Sequence, residues 1–586
     1  MKSFLKYTLA TVVGIFLSTL LFFFFLILII SAFSSEKPVE VKDNSILYIK
    51  LNDKIVDRTV DNPFDFLPKG LPMIREMGLN DILDCIKKAK KDDHISGIYL
   101  DMISLAAGYG STEEIRNALL DFKESGKFII AFSDTYTQKA YYLASVADSL
   151  YLNPSGDLLL LGLGTEIMFY KGALDKLGIE VQVIRRGDYK SFGEPFTNDR
   201  MSPENRTQTM QWIGSLWDHM LEGISEQRGI DAETLDNYAD QFTIRSSDLA
   251  LEHNMVDGLK FKDEIIDELK KLTGTNPKKD LNSITIKKYK KVHVKKNYKG
   301  YTKDKVAVIY AHGDVLIGNT GEGTISSERI SRAIRKARRD STVKAIVLRV
   351  NSGGGGALAS EVIYREALLA SQSKPLVASI GDMAASGGYL ILAPADTVLA
   401  SPNSITGSIG VFAMLPNAQP FLNKKLGINI DVAKTNKHAD LGTPFRPLSA
   451  DEKDIIYNMI DRTYNSFLTS VSSGREMPKE EVNAIGGGRV WSGADALKNG
   501  LIDMYGGLND AIKVAGEMAN LEKYRVISLP VLEDPLEMFI RELTENTRTR
   551  MARKELGEFY KYFKSVSELE NMFGVQARIP FMFDIH

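Results

Sequence analysis

Tyr141-Tyr-Leu-Ala-Ser-Val-Ala-Asp148 and Tyr389-Leu-Ile-Leu-Ala-Pro-Ala-Asp396 are two versions of one segment. Tyr141 and Tyr389 lie 248 positions apart, as do Asp148 and Asp396, Glu113 and Glu361, and Pro154 and Pro402. Further on the offset is 249, between Lys176-Leu-Gly and Lys425-Leu-Gly, and between Gly193-Glu-Pro-Phe and Gly442-Thr-Pro-Phe. Near the ends of the halves, Met255-Val-Asp257-Gly matches Leu501-Ile-Asp503-Met. Chance does not hold one offset over such a span, so the body is a duplication and its halves share one fold. A chain of 586 residues is too long for one ordinary core, which agrees with two domains.

Within each half the pattern is α/β. Short apolar runs such as Ala307-Val-Ile-Tyr, Ala345-Ile-Val-Leu and Leu376-Val-Ala-Ser read as buried parallel strands. Helical stretches such as 327–339 and 358–370 alternate with them, which implies βαβ units.

Outside the repeats, Lys2 and Lys6 precede a run, 7–33, without a charged residue. A secretory signal has an apolar core of only about 7–15 residues, whereas about 20 span a bilayer. The run reads as an uncleaved signal anchor, residues 1–33, rather than a cleaved leader ending near Ser31-Ala32-Phe33. Its flanking lysines put the N-terminus in the cytoplasm and the body on the far side. The repeats are expected at 45–272 and 306–528, joined by a basic connector at 273–305. The lysine pairs there, such as Lys287-Lys288, read as a solvated face rather than a site for anionic lipid or acidic substrate. Residues 529–586 are expected to form a helical tail. Its end, Ile579-Pro-Phe-Met-Phe, is apolar enough to pack on a partner or the body.

Composition excludes several classes. The net charge of -2 gives no electrostatic case for nucleic acid. Cys85 stands alone, so no intrachain disulfide forms, and it reads as a small buried apolar residue in a helix. There is no Cys/His cluster or His-Glu-x-x-His spacing, so no metal is expected, and no cofactor.

Two glycine-rich segments follow strands of the second half: Asn351-Ser-Gly-Gly-Gly-Gly356 and Gly381-Asp-Met-Ala-Ala-Ser386-Gly-Gly-Tyr389. Without a Gly-Lys-Ser/Thr ending or GxGxxG spacing, a phosphate cradle is a weak reading. An oxyanion hole fits better: a serine opening a helix, with glycine beside it, aims its own and its neighbour's N–H at developing negative charge. Ala384 stands where the nucleophile elbow of α/β-hydrolases needs its first glycine. Ser386 needs a base. None of the seven histidines sits in a triad context, although His438 and His312 share its half. A lysine serves instead if burial lowers its pKa. The first half has Gln138 opposite Ser386, and the second has Ala439 opposite Lys190 of Arg186-Gly-Asp-Tyr-Lys190-Ser. Each half therefore holds one part of a pair. On composition alone Lys190 would be a solvated loop lysine.

At these residues the chain resembles the long-form signal peptide peptidase A (protease IV) family. Asp382-Met-Ala-Ala-Ser386-Gly-Gly-Tyr389 is similar to its nucleophile motif. Gly187-Asp-Tyr-Lys190-Ser, with Glu194-Pro-Phe and Met201-Ser-Pro, is similar to its lysine motif. The resemblance implies two tandem ClpP/crotonase-like domains behind a transmembrane helix. It implies a serine endopeptidase that degrades cleaved signal peptides, on the periplasmic side of a bacterial inner membrane. It also implies a homo-oligomer, a tetramer around a chamber open to the membrane. Ser386 is then the nucleophile and Lys190 the base. Ser408, in Gly407-Ser-Ile-Gly410, orients the lysine unless it is a turn hydroxyl bonding its own backbone. Gly387 and Gly354 or Gly355 supply oxyanion N–H groups. One departure is Gly353 where the family reads proline, which predicts a looser loop. Competing readings are crotonase-type acyl-CoA chemistry, a non-catalytic membrane scaffold, and a peptidase with His438 as base.

Overall fold

The computed structural model describes residues 2–34, 39–59, 76–292, 302–532 and 574–579. Two sheets carry the two halves, the first parallel and the second parallel except where Ile405–Gly407 meets Val490–Ser492. The first runs Gly258–Leu259, Ser149–Leu152, Phe128–Ser133, Ile95–Asp101, Ser45–Ile49, Ser283–Thr285 in space, every neighbour parallel. The second repeats that order with Met504–Tyr505, Thr397–Ala400, Leu376–Ala385, Val343–Ser352, Lys305–His312, Arg525–Leu529. These strands are apolar on both faces because both faces are covered. Ala307, Ile309 and Ala311 enter one cluster with Ile346 and Leu348, while Val306 and Val308 enter another with Leu508 and Ala511.

The residues that betrayed the duplication do the same work in each half. The Tyr141 and Tyr389 hydroxyls donate to the Met255 and Leu501 carbonyls at 2.8 and 2.7 Å. Asp148 and Asp396 each accept the N–H of a strand residue, Ile129 and Leu376, at 2.8 Å. Asp257 and Asp503 accept from Leu150 and Val398 at 2.7 Å. A buried main-chain donor must be satisfied, so these aspartates persist where the surrounding apolar residues drift.

A third sheet crosses between the halves. Its order is Ile325–Ser326, Val315–Leu316, Gly354–Gly356, Gly574–Arg578, Val411–Asn417, Glu180–Arg186. Glu180–Arg186 comes from the first half and pairs antiparallel with Val411–Asn417 of the second, from Arg186↔Val411 to Glu180↔Asn417.

The segments outside the repeats differ in part from expectation. Ser283–Thr285, within the stretch read as connector, is an edge strand of the first sheet. In the described parts of the tail, 529–532 and 574–579, the one element that lies wholly within them is the strand Gly574–Arg578, not a helix; residues 533–573 and 580–586, with most of the expected helix, lie outside the description. Cys85 is buried in the helix Leu79–Lys91, and burial pushes its thiol up to about 12. The N-terminal run forms one helix, Lys2–Ser34. Many of its side chains lie outside the described residues, and among those described no helix is long and apolar enough to cross a membrane.

Candidate active site

The cross-repeat sheet decides where Lys190 goes. After Arg186 the chain turns at Gly187, whose φ of 103° suits glycine and whose Cβ would meet the Gly487 carbonyl oxygen at 2.3 Å. The Tyr189 N–H then donates to that Gly487 carbonyl at 3.1 Å. The Lys190 side chain enters the second half between two glycines. A Cβ on Gly488 would lie 2.6 Å from the Lys190 Cβ, and one on Gly410 would lie 3.2 Å from its Cδ.

Ser386 ends the strand Leu376–Ala385 and opens the helix Gly387–Leu392. Its φ is 55°, rare for a residue with a side chain, and its N–H donates to the Gly407 carbonyl at 2.8 Å. Lys190 Nζ donates to Ser386 Oγ at 2.8 Å, to Ser408 Oγ at 2.9 Å and to the Ser408 carbonyl at 3.1 Å. Ser408, at φ 51°, thus turns both hydroxyl and carbonyl to the lysine. Lys190 and Ser386 are both 0% exposed. Burial holds the Lys190 pKa well below the usual lysine range, because a desolvated ammonium is disfavoured.

A polar network that the sequence reading passed over fixes the lysine loop. Gln208, on the helix Pro203–Arg228, donates to the Tyr189 carbonyl at 3.0 Å and to Ser191 Oγ at 3.0 Å. Its Oε1 accepts the Val490 N–H of the second half at 3.2 Å. Buried Glu194 accepts from Ser202 Oγ at 2.6 Å and from Asn205 Nδ2 at 3.0 Å. Asn205 in turn accepts from Ser191 Oγ at 3.0 Å. The quoted Glu194-Pro-Phe and Met201-Ser-Pro segments are the two ends of this network. The run Gly486-Gly-Gly488 was a legible third glycine segment, but it carries no chemistry of its own.

On the other side of Ser386, the expected N–H donors sort themselves. Gly354 N–H donates to Ser352 Oγ at 3.1 Å, and Ser386 N–H is held by Gly407, so neither points at a reacting oxygen. Gly355 and Gly387 sit together: a Cβ on Gly387 would lie 3.3 Å from the Gly355 nitrogen. Asp382 ties this region to the first half. Its carboxylate accepts the Ser111 N–H at 2.7 Å, Ser111 Oγ at 3.0 Å and Asn351 Nδ2 at 3.3 Å. Ser111 lies in the first turn of the helix Tyr109–Lys123, where a carboxylate is favoured.

The remaining candidates lie elsewhere. His438 is beside Asp451 and His312 beside Asp57, at 3.7 and 3.6 Å. Among the described residues, Ser386 Oγ hydrogen-bonds with Lys190 Nζ and donates to the Gly410 carbonyl at 3.5 Å. Gln138 donates to the Gly162 carbonyl at 2.8 Å and accepts the Leu161 N–H at 3.1 Å, which fills the position of a nucleophile. Ala439 is exposed.

The profile of Peptidase family S49 matches residues 121–276 and 369–522, one match in each half and together more than half of the chain. The chain belongs to peptidase family S49. Three relatives agree. Protease 4 of Salmonella typhi is 36% identical over 487 residues, covering 82% of this chain and 78% of the relative. Protease 4 of Haemophilus influenzae is 35% identical over 76% of this chain and 74% of its own. The chloroplastic serine protease SPPA of Arabidopsis thaliana is 35% identical over 76% and 67%. This S49 chain is therefore a serine peptidase, and its tandem matches start at positions 121 and 369, the offset that Tyr141 and Tyr389 share.

Proposed function

We propose that this S49 peptidase is a membrane-anchored endopeptidase whose catalytic pair is Ser386 and Lys190. The observation that carries the proposal is the 2.8 Å contact of Lys190 Nζ with Ser386 Oγ in a fully buried setting. Neutral Lys190 takes the Ser386 proton as Oγ attacks a peptide carbonyl. Gly355 and Gly387 N–H groups face the oxyanion, and a lost donor of this kind costs about 3–4 kcal/mol of barrier. Lys190 then protonates the leaving amine, and water hydrolyses the acyl-enzyme. Ser408 orients the amine throughout. The acyl-CoA reading is disfavoured because the buried lysine amine bonds the serine hydroxyl. The scaffold reading is disfavoured because both members of the pair are present and in contact.

The division into anchor, two ClpP/crotonase-like repeats, connector and tail belongs to the same proposal. Anchoring is supported by the helix Lys2–Ser34, whose uncharged stretch 7–33 would span about 40 Å at 1.5 Å per residue. A single-pass anchor with the body outside the bacterial inner membrane fits Lys2 and Lys6. The membrane-borne relatives implied by the resemblance make cleaved signal peptides the proposed substrates. A homo-oligomer, taken as a tetramer, completes the reading.

The test is hydrolysis of a quenched peptide by the detergent-solubilised full chain. Ser386→Ala and Lys190→Ala are each expected to lose about 10³-fold or more in kcat. Because burial depresses the Lys190 pKa, the protonated amine dominates only at lower pH, so wild-type rate rises as pH increases through that pKa. A Lys190→Ala chain that keeps most of its rate would refute the pair.

A further inference from the structure

The groove beside Ser386 is occupied by the chain itself. Gly574–Arg578 lies antiparallel to Gly354–Gly356 on one side, with Gly354↔Arg578, Gly355↔Ala577 and Gly356↔Gln576. On its other side it is antiparallel to Val411–Asn417, with Phe412↔Gln576, Ala413↔Val575 and Met414↔Gly574. One flank is the loop strand next to the nucleophile. The other begins three residues beyond Ser408. Main-chain pairing to two such edges is how an extended peptide is held with little regard to its sequence.

The register puts one carbonyl against the glycines beside Ser386. A Cβ on Gly354 would lie 2.2 Å from the Ala577 carbonyl oxygen and 2.8 Å from the Gly387 nitrogen. A Cβ on Gly387 would lie 2.9 Å from that same oxygen and 3.3 Å from the Gly355 nitrogen. The Ala577 carbonyl therefore sits among the glycines that face a substrate oxyanion. Beyond it, Arg578 Nη2 pairs with Asp314 Oδ2 at 2.5 Å, and the Ile579 N–H donates to the Gly353 carbonyl at 2.6 Å. Gly353 makes room for this: a Cβ there would lie 2.7 Å from Ile579 Cγ2. Ala577 is 1% exposed, and with this strand in place neither Ser386 nor Lys190 is reachable from solvent.

We propose that residues 574–579 are a substrate-like strand that occupies the peptide-binding groove and inhibits the enzyme in competition with external peptide. The inference rests on Ser386 being the nucleophile of the peptidase. It also assigns the subsites: a small residue, as Ala577, at the carbonyl to be attacked, and a basic residue, as Arg578, next to Asp314. Release of the strand leaves the catalytic groups as they are. Its kinetic signature is a fall in apparent KM at constant kcat.

The experiment compares the detergent-solubilised full chain with Gln576→Pro, which removes an N–H in the middle of the strand, and with Arg578→Glu, which sets two like charges together. Both variants are expected to lower apparent KM for a quenched peptide about fivefold or more, with kcat unchanged within about twofold. A synthetic hexapeptide of residues 574–579 should inhibit both competitively. Unchanged KM in both variants, or lower kcat with a lower melting temperature, would overturn the inference and make the strand structural. A fluorescent form of the hexapeptide separates this failure from that of the peptidase reading. If no chain cleaves peptide, anisotropy showing binding to Gln576→Pro but not to the native chain sustains the tail inference and sinks the peptidase one. Binding to neither sinks the tail inference.

Discussion

At the scale of single residues, the site is built by what is missing as much as by what is present. Lys190 approaches Ser386 because Gly488 and Gly410 have no side chains in its path. At Gly488 a Cβ would lie within 2.7 Å of Lys190 N, Cα and Cβ, and its φ of 84° disfavours any other residue. Gly488→Ala must therefore push the lysine back. A displacement of about 1 Å costs about 10²-fold in rate, so kcat is expected to fall by that order while KM moves little. Steady-state kinetics checks this, and a Gly488→Ala chain with native kcat would show that the lysine has slack. The pairing of Ser386 with Lys190, which the structure brings into contact, was expected because the duplication supplies an internal comparison: Gln138 and Ala439 mark what each half lacks. The glycine run at Gly488 could be read, but its purpose, like that of Gln208, could not, because it lies in contacts between segments far apart in the chain. That Ser352 takes the Gly354 N–H, and not that of Gly355, was likewise a tertiary detail.

At the scale of elements, the strands Leu376–Ala385 and Val343–Ser352 lead into Ser386 and the glycine loop, and Asp382 joins both to the first half. It sits four residues before Ser386 and bonds Asn351, just ahead of the loop, while capping the helix Tyr109–Lys123. Gly108 and Gly110 admit it, since a Cβ on Gly108 would lie 2.1 Å from the Asp382 carboxyl carbon. Asp382→Ala removes the cap, for which about 1–2 kcal/mol of stability is the usual loss. It is also expected to lower kcat, because the strand leading to Ser386, the proposed nucleophile, loses its anchor. Denaturant melts and kinetics measure the two effects; Asp382→Asn, which keeps an acceptor oxygen, should recover most of both. A stability loss with unchanged kcat would confine Asp382 to a structural role. The parallel strands were legible from their apolar runs. The third sheet was not, because its strands, Glu180–Arg186, Val411–Asn417 and Gly574–Arg578, are joined only by tertiary pairing. The helical apolar spacing of the tail lies at 534–563, outside the described residues, and gave no sign of the strand that pairs on both edges at 574–578.

At the scale of the molecule, the two halves are locked by a buried charge cluster and by one strand pair. Arg349 of the second half bonds Asp57 at 2.7 Å and Glu114 at 2.6 Å, both from the first, and is 1% exposed. Removing one partner of such a group typically costs about 3–5 kcal/mol, so the halves separate only at high cost. The strand pair, in contrast, has an unused copy. By the repeat offset, the counterpart of 180–186 is 429–435 in the second half, and that of 411–417 is 163–169 in the first. Neither segment belongs to the three sheets described. Both expose apolar side chains, including Met168 at 50%, Ile430 at 43% and Val432 at 47%. In the proposed oligomer these two segments would meet their counterparts on other copies head to tail, and such contacts close into rings or grow as filaments. The expectation is a closed homo-oligomer, four chains in the proposed reading, joined through 429–435 and 163–169. Light scattering of the detergent-solubilised chain should give that mass after subtraction of detergent. Ile430→Glu with Val432→Glu should reduce it to one chain, because charge in an apolar contact has no compensation. Since Ser386 and Lys190 meet within one chain, the separated chain should keep its kcat on a short peptide within about twofold. A double variant that retains the wild-type mass would place the contact elsewhere, and a monomer without activity would mean that the pair needs its neighbour to stay aligned.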